Sequence, residues 1–225
     1  MKRFYLLLGT VALLGGVFLF VASRDRSAPP TAAPGTAVSP LPPPPSADGF
    51  RGYTLGSDSA RIEIVEYGDF ECPACASFAA VQMPTVRDQL ITTGKVRWRY
   101  RDFPLPSHRY SRTAAHAAHC AGEQGKFWEM HDQLFFNHSW AQTGRNPSRL
   151  FRDMARAAGL DVAAYDACME SQRYAGRIEA SRLEGEALGV NGTPTFFLNG
   201  RPLNLRSYGS DEFKRVADSV LAQRR

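Results

Sequence analysis

Cysteine is scarce in this chain, four residues in 225, and none lies beside the apolar run near its start. A lipid attached to a processed N-terminal cysteine is therefore excluded. A large charge of one sign is missing too. The net charge of +5 falls to +3 from Gly49 onward, where 23 basic residues face 20 acidic ones. Such a balance argues against a nucleic-acid surface, so the alternation of Arg97, Arg99 and Arg101 with Val96, Trp98 and Tyr100 reads as the solvated face of an amphipathic strand. No internal repeat is evident. Nor is there a second closely spaced ligand pair after a short loop, which ordinary zinc modules repeat.

One long hydrophobic run is present. Phe4 to Ala22 is 19 residues without charge, preceded by Lys2 and Arg3. That is near the roughly 20 residues that span a bilayer and longer than the usual core of a cleaved signal, about 7 to 15 residues. Residues 1–26 are expected to form an uncleaved membrane anchor, with cleavage near Val21-Ala22-Ser23 as the alternative. Lys2 and Arg3 on one side balance Arg24 and Arg26 on the other, so counting basic residues does not orient the segment. Residues 27–48 hold eight prolines in 22 positions, a composition that forms no packed core and reads as an extended spacer.

Residues 49–225 carry the chemistry. Cys72-Pro73-Ala74-Cys75 falls where an apolar strand, Arg61 to Tyr67, gives way to a helix. A cysteine capping a helix start meets unpaired N–H groups and the positive end of the helix dipole, which favour thiolate over thiol. Pro73 suits the first turn because its missing donor costs nothing there. In thiol-disulfide exchange, Cys72 is then the outward sulfur and Cys75 the shielded, resolving one. A permanent staple is the blander reading, but so small a loop would stabilise little. A metal site is another, with Cys72 and Cys75 joined by Cys120, Cys168 or the histidines, and a non-enzymatic metal chaperone would need Met83, Met130 and the helix bearing His116 and His119 to converge on Cys72. Glu66 continues the row of Ile62 and Ile64 and is expected to be a buried acid, whereas Glu63, Asp69 and Glu71 are expected at the surface. His108, His131 and His138 receive no role.

The remaining pattern predicts a short strand near Tyr53, a helix over Ala76 to Thr92, and a strand over Lys95 to Phe103 ended by Pro104 and Pro106. Helices follow over Arg109 to Glu123, Phe127 to Phe136, Pro147 to Ala158 with Asn146 as cap, Val162 to Ser171 and Arg173 to Leu188. A strand over Thr195 to Leu198, a hairpin turn at Asn199-Gly200 and a helix from Asp211 to Gln223 close the chain.

Three segments, EYGDFECPACASF at Glu66 to Phe78, GKFWEMHDQLF at Gly125 to Phe135 and GVNGTPTFFLNG at Gly189 to Gly200, make this body resemble the DsbA-type thiol:disulfide oxidoreductases. The resemblance implies an α/β thioredoxin fold with an inserted all-helical domain, here about residues 107–189. It also implies a redox-active Cys72–Cys75 disulfide, Glu66 as proton partner of Cys75, and substrate contacts at Thr193 and Pro194, the latter in a cis-proline loop. No cofactor or metal is expected. Pro73-Ala74 departs from the Pro-His of strongly oxidising members, so Cys72 is expected to be less acidic than theirs. Cys120 and Cys168 pair as a structural disulfide if the active pair is left intact, several relatives carrying such a bridge; two free buried thiols are the alternative. By the same resemblance the partners are exported proteins with reduced cysteines and a quinone-linked membrane protein. The catalytic domain is then a monomer in the periplasm or extracytoplasmic space. A reductase or isomerase would use the same residues; no dimerisation domain precedes Gly49, which counts against an isomerase.

Overall fold

The computed structural model describes residues 49–223, so the expected anchor and proline-rich spacer lie outside the described residues. Among the described residues no helix is long and apolar enough to cross a membrane.

Alternating burial along two seven-residue strands sets the centre of the fold. β2 (Ile62–Gly68) and β3 (Val96–Asp102) run parallel, Ile62 opposite Val96 and Glu66 opposite Tyr100. β1 (Tyr53–Leu55) adds antiparallel to β3, β4 (Thr195–Leu198) antiparallel to β2, and β5 (Arg201–Pro202) to β4, giving the order β1-β3-β2-β4-β5. The β4–β5 turn places Asn199 and Gly200 at φ 48° and 78°. Two successive left-handed residues suit a tight hairpin, and asparagine and glycine reach that region at least cost.

The crossover from β2 to β3 is a helical tract in four pieces: α1 (Pro73–Ser77), a π turn (Phe78–Gln82), α2 (Met83–Val86) and a second π turn (Arg87–Ile91). The single helix expected here widens because Pro84 has no N–H to give to the preceding turn. This tract and α8 (Ser210–Ala222) cover one sheet face, where Ile62, Ile64, Trp98 and Phe196 pack with Phe78, Val86 and Phe213.

Between β3 and β4 stand α3 (Ser111–Glu123), α4 (Phe127–Phe136), a 3-10 turn (His138–Gln142), α5 (Ser148–Ala157), α6 (Val162–Ser171) and α7 (Ala175–Ala187). Asp161 caps α6 through its carboxylate on the N–H groups of Ala163 and Ala164. Asn146 accepts from Ser148 N at 2.9 Å, but Pro147 holds the capping position, one residue later than expected.

The second sheet face corrects the arginine reading. Tyr67, Phe103, Val190 and Phe197 form a core there, and Tyr67 Oη donates to Glu184 of α7 at 2.7 Å. Arg101 is buried and paired with Glu184. Arg97 and Arg99, part-buried, share Glu63 at 2.7 and 2.6 Å. A parallel strand pair in an α/β fold carries helices on both faces, so its alternate face is not solvent.

Candidate functional site

Cys72 is the extended residue before α1 (φ −76°, ψ 123°), with Pro73 in the first turn. Its N–H donates to Asp69 O at 3.0 Å, and its carbonyl accepts from Ala76 N at 3.0 Å. Cys72 is 6% exposed and Cys75, one turn along, is 0%. The Thr193–Pro194 peptide is cis. It brings Thr193 O to 3.4 Å from Cys72 Sγ, the thiol donating.

The acidities of the two thiols are displaced in opposite directions. The Cys72 pKa is lowered to about 5 by a hydrogen bond from Cys75, against the cost of burial, with further help from Thr193 and the N–H groups of Cys75 and Ala74. Those donors act where the chain lacks a histidine at position 74. Cys75 is pushed well up, first by burial, then by its bond to Cys72 and by the charges of Cys72 and Glu66. Glu66 is 2% exposed. Burial raises its pKa to about 8, although Trp98 Nε1 donates to it at 3.0 Å. The site thus holds a stabilised outer thiolate, a shielded inner thiol and a buried acid able to keep its proton at neutral pH.

Asp69, expected at the surface, is 1% exposed. Its carboxylate accepts from Glu71 N and Leu105 N at 2.8 Å each and from Ser111 Oγ at 2.6 Å, and lies 2.7 Å from His108 Nδ1. Four partners compensate its desolvation. Glu71, part-buried, accepts from Tyr110 N at 2.6 Å, and His138 Nε2 lies 3.1 Å from Phe70 O. The loop that presents Cys72 is therefore tied to the helical insert at three successive residues, and His108 and His138 acquire positions the sequence did not suggest. The Asp69-to-Glu71 contact is an Asx turn, a legible local signal. His131 is fully buried beside Asp132 at 2.9 Å.

Cys120 and Cys168 form a disulfide joining α3 to α6. Their sulfurs and His116 are the only three histidine, cysteine or carboxylate side chains among the described residues whose ligand atoms lie mutually within 4.8 Å. Met83 packs beneath the sheet, in a different core from Cys72 and Cys75. Replacing Cys120 and Cys168 together by alanine should lower stability by about 2 to 4 kcal/mol, because the bridge closes a 48-residue separation in the unfolded chain. Denaturant titration checks this, and thiol-exchange rates should hold since neither sulfur belongs to the Cys72 site.

A family model described as Thioredoxin matches residues 51–218. Among solved structures, oxidised BdbD from Bacillus subtilis superposes with TM-score 0.66 at 24% identity, covering 75% of this chain and 92% of that one. A thioredoxin-like oxidoreductase from Silicibacter pomeroyi gives 0.59 at 27% identity, covering 76% and 91%. The probable disulfide bond formation protein D of Bacillus anthracis is 25% identical over 171 residues, 75% of this chain and 77% of that protein. The Na(+)/H(+) antiporter NhaA 3 of Salinispora tropica is 36% identical over 176 residues, 78% of this chain; the chain spans only 25% of that antiporter's length. With a family model matching residues 51–218, a helical insert between β3 and β4 and a Cys-x-x-Cys at the start of the first crossover helix, the chain belongs to the thioredoxin family.

Proposed function

We propose that this chain introduces disulfides into exported proteins by exchange through Cys72 and Cys75. The observation that carries the reading is the opposed displacement of the two thiols, Cys72 down to about 5 and Cys75 well up, over buried Glu66. A client thiolate opens the Cys72–Cys75 disulfide by attack on Cys72 Sγ; Cys75 leaves and takes a proton from Glu66. A second client thiolate then attacks the client sulfur of the mixed disulfide, and Cys72 leaves as its stabilised thiolate. One disulfide bond is broken for each one formed, and two electrons pass from client to protein. Thr193 and Pro194, whose loop touches Cys72, receive the client backbone beside the reacting sulfur.

Residues 1–26 serve as a single-pass membrane anchor, residues 27–48 as spacer, and residues 49–225 as the catalytic domain outside the cytoplasm, acting as a monomer. The apolar run of 19 residues and the disulfide between Cys120 and Cys168 support that placement. A quinone-linked membrane protein reoxidises the pair. The antiporter relatives lend no transport role, since the chain matches a quarter of their length.

In Cys75→Ser, Cys72 should accumulate mixed disulfides with client proteins, formed when its thiolate attacks a client disulfide and expels one client thiolate, because Cys75, which would displace the client in that direction, is gone. Non-reducing electrophoresis of protein recovered from its host checks this. Adducts that persist in Cys72→Ser, or none in Cys75→Ser, would remove the assignment. The reduction potential of the pair, measured against glutathione, orders oxidase, isomerase and reductase.

A further inference from the structure

In the proposed reaction Cys75 and Glu66 exchange a proton away from bulk solvent, at 0% and 2% exposure. A reaction that cycles needs that proton to leave and return. The same sheet face carries two polar atoms that are buried and have no partner within the protein, Tyr100 Oη and Asp102 Oδ1. Unpaired buried polar groups are costly and rare in native folds, and one water molecule with a donor and an acceptor on either side would satisfy both.

Their placement follows from the strand register. Tyr100 is opposite Glu66 and Asp102 is opposite Gly68. The Tyr100 ring leans over Gly68, where an added Cβ would meet Tyr100 Oη at 2.8 Å; the hydroxyl is thereby carried from the Glu66 register toward Asp102. Tyr100 also shares a core with Cys72 and Cys75. The acidic groups whose charges act on it are Asp102, Cys75, Glu66 and Asp69, and the one histidine ring beside it is His131, at 5.2 Å from its own. Asp69 is fully engaged with its own four partners. Asp102 continues outward: its Oδ2 is 2.7 Å from His119 Nε2, and His119 Nδ1 is 3.4 Å from Tyr53 Oη. Tyr53 is part-exposed, at the edge strand β1.

Building on the oxidoreductase reading, we propose that Tyr100, Asp102, His119 and Tyr53 form a proton-conducting row from the Cys75–Glu66 pair to the surface, closed by water molecules on either side of Tyr100 Oη, one toward Glu66 and one toward Asp102 Oδ1. When Cys75 Sγ bonds to Cys72 Sγ and displaces a client thiolate, its proton passes to the Glu66 carboxylate. The row then carries a proton outward as each hydroxyl or imidazole receives one and releases another. In the opposite direction the same row reprotonates Glu66 after Cys75 leaves. Electrons stay on sulfur throughout.

The test is Tyr100→Phe, which keeps the ring and removes only the hydroxyl. Single-turnover resolution of a preformed Cys72–glutathione mixed disulfide should slow at least tenfold, with a larger solvent deuterium isotope effect, while the equilibrium constant against glutathione stays within twofold. His119→Gln, farther out, should slow the same step and leave the equilibrium constant unchanged, which guards against a packing fault peculiar to Tyr100→Phe. Wild-type rates and isotope effects in both variants from pH 5 to 9 would overturn the row. So would a shift in the equilibrium constant as large as the shift in rate, since Tyr100 would then act by stabilising an anion. Wild-type protein that does not resolve the mixed disulfide would instead overturn the oxidoreductase reading itself.

Discussion

Cys72 of the reduced protein should titrate near pH 5, and the reduced form should lose stability as the pH falls through that value. The sign follows from the lowered pKa. The folded state holds Cys72 as thiolate between about 5 and the ordinary thiol value of 9.0, while the unfolded chain keeps the proton. The stabilisation is therefore complete above pH 9.0 and is lost downward through pH 5. The oxidised form has no such group, so the same titration makes the disulfide more oxidising. Thiolate absorbance against pH reads the value directly. A Cys72 that titrates near pH 9 would remove the donors as its cause.

Glu66→Gln should stabilise the protein strongly at alkaline pH. Folding raises this carboxyl from the ordinary 4.5 to about 8, chiefly by burial, so between those values the folded state keeps a proton that the unfolded chain has released. The contribution is fully present below 4.5 and is lost as the pH rises through 8. At about 1.4 kcal/mol per unit, the ceiling is about 5 kcal/mol above pH 8. Glutamine keeps the shape, accepts from Trp98 Nε1 and never ionises, so wild type and variant should diverge with rising pH and converge near pH 4. Denaturant midpoints across that range check the divergence. The variant should also resolve mixed disulfides more slowly, since an amide relays no proton. Parallel stability curves for the two proteins would place Glu66 in water.

How the site is held was only partly written locally. Glu66 is legible because it continues the apolar row of Ile62 and Ile64, a period-two pattern that needs no knowledge of the partner strand. Trp98 as its donor, 32 residues away in sequence, depends on the β2–β3 register, which pairs residues 34 apart. Asp69 was misread because a lone aspartate among charged neighbours resembles a solvated loop, and its burial depends on Leu105, His108 and Ser111 arriving from the other side of β3. Arg101 was misread for a related reason. An alternating strand announces two faces, but whether the second meets water or a helix is decided by α7, more than 70 residues later.

The sequence by itself placed the Cys72–Cys75 pair at a helix start and set the strands and most helix ends, because capping, proline geometry and periodicity act over a few residues. It also limited the pairing of Cys120 and Cys168 once the active pair was set aside. Tertiary structure decided which donors reach Cys72, how fully Glu66 and Asp69 are desolvated, and that Tyr100 Oη and Asp102 Oδ1 are buried on one sheet face without partners. Each of these depends on contacts between distant segments, and desolvation is set by everything packed around a group, so neither can be read from the residues beside it.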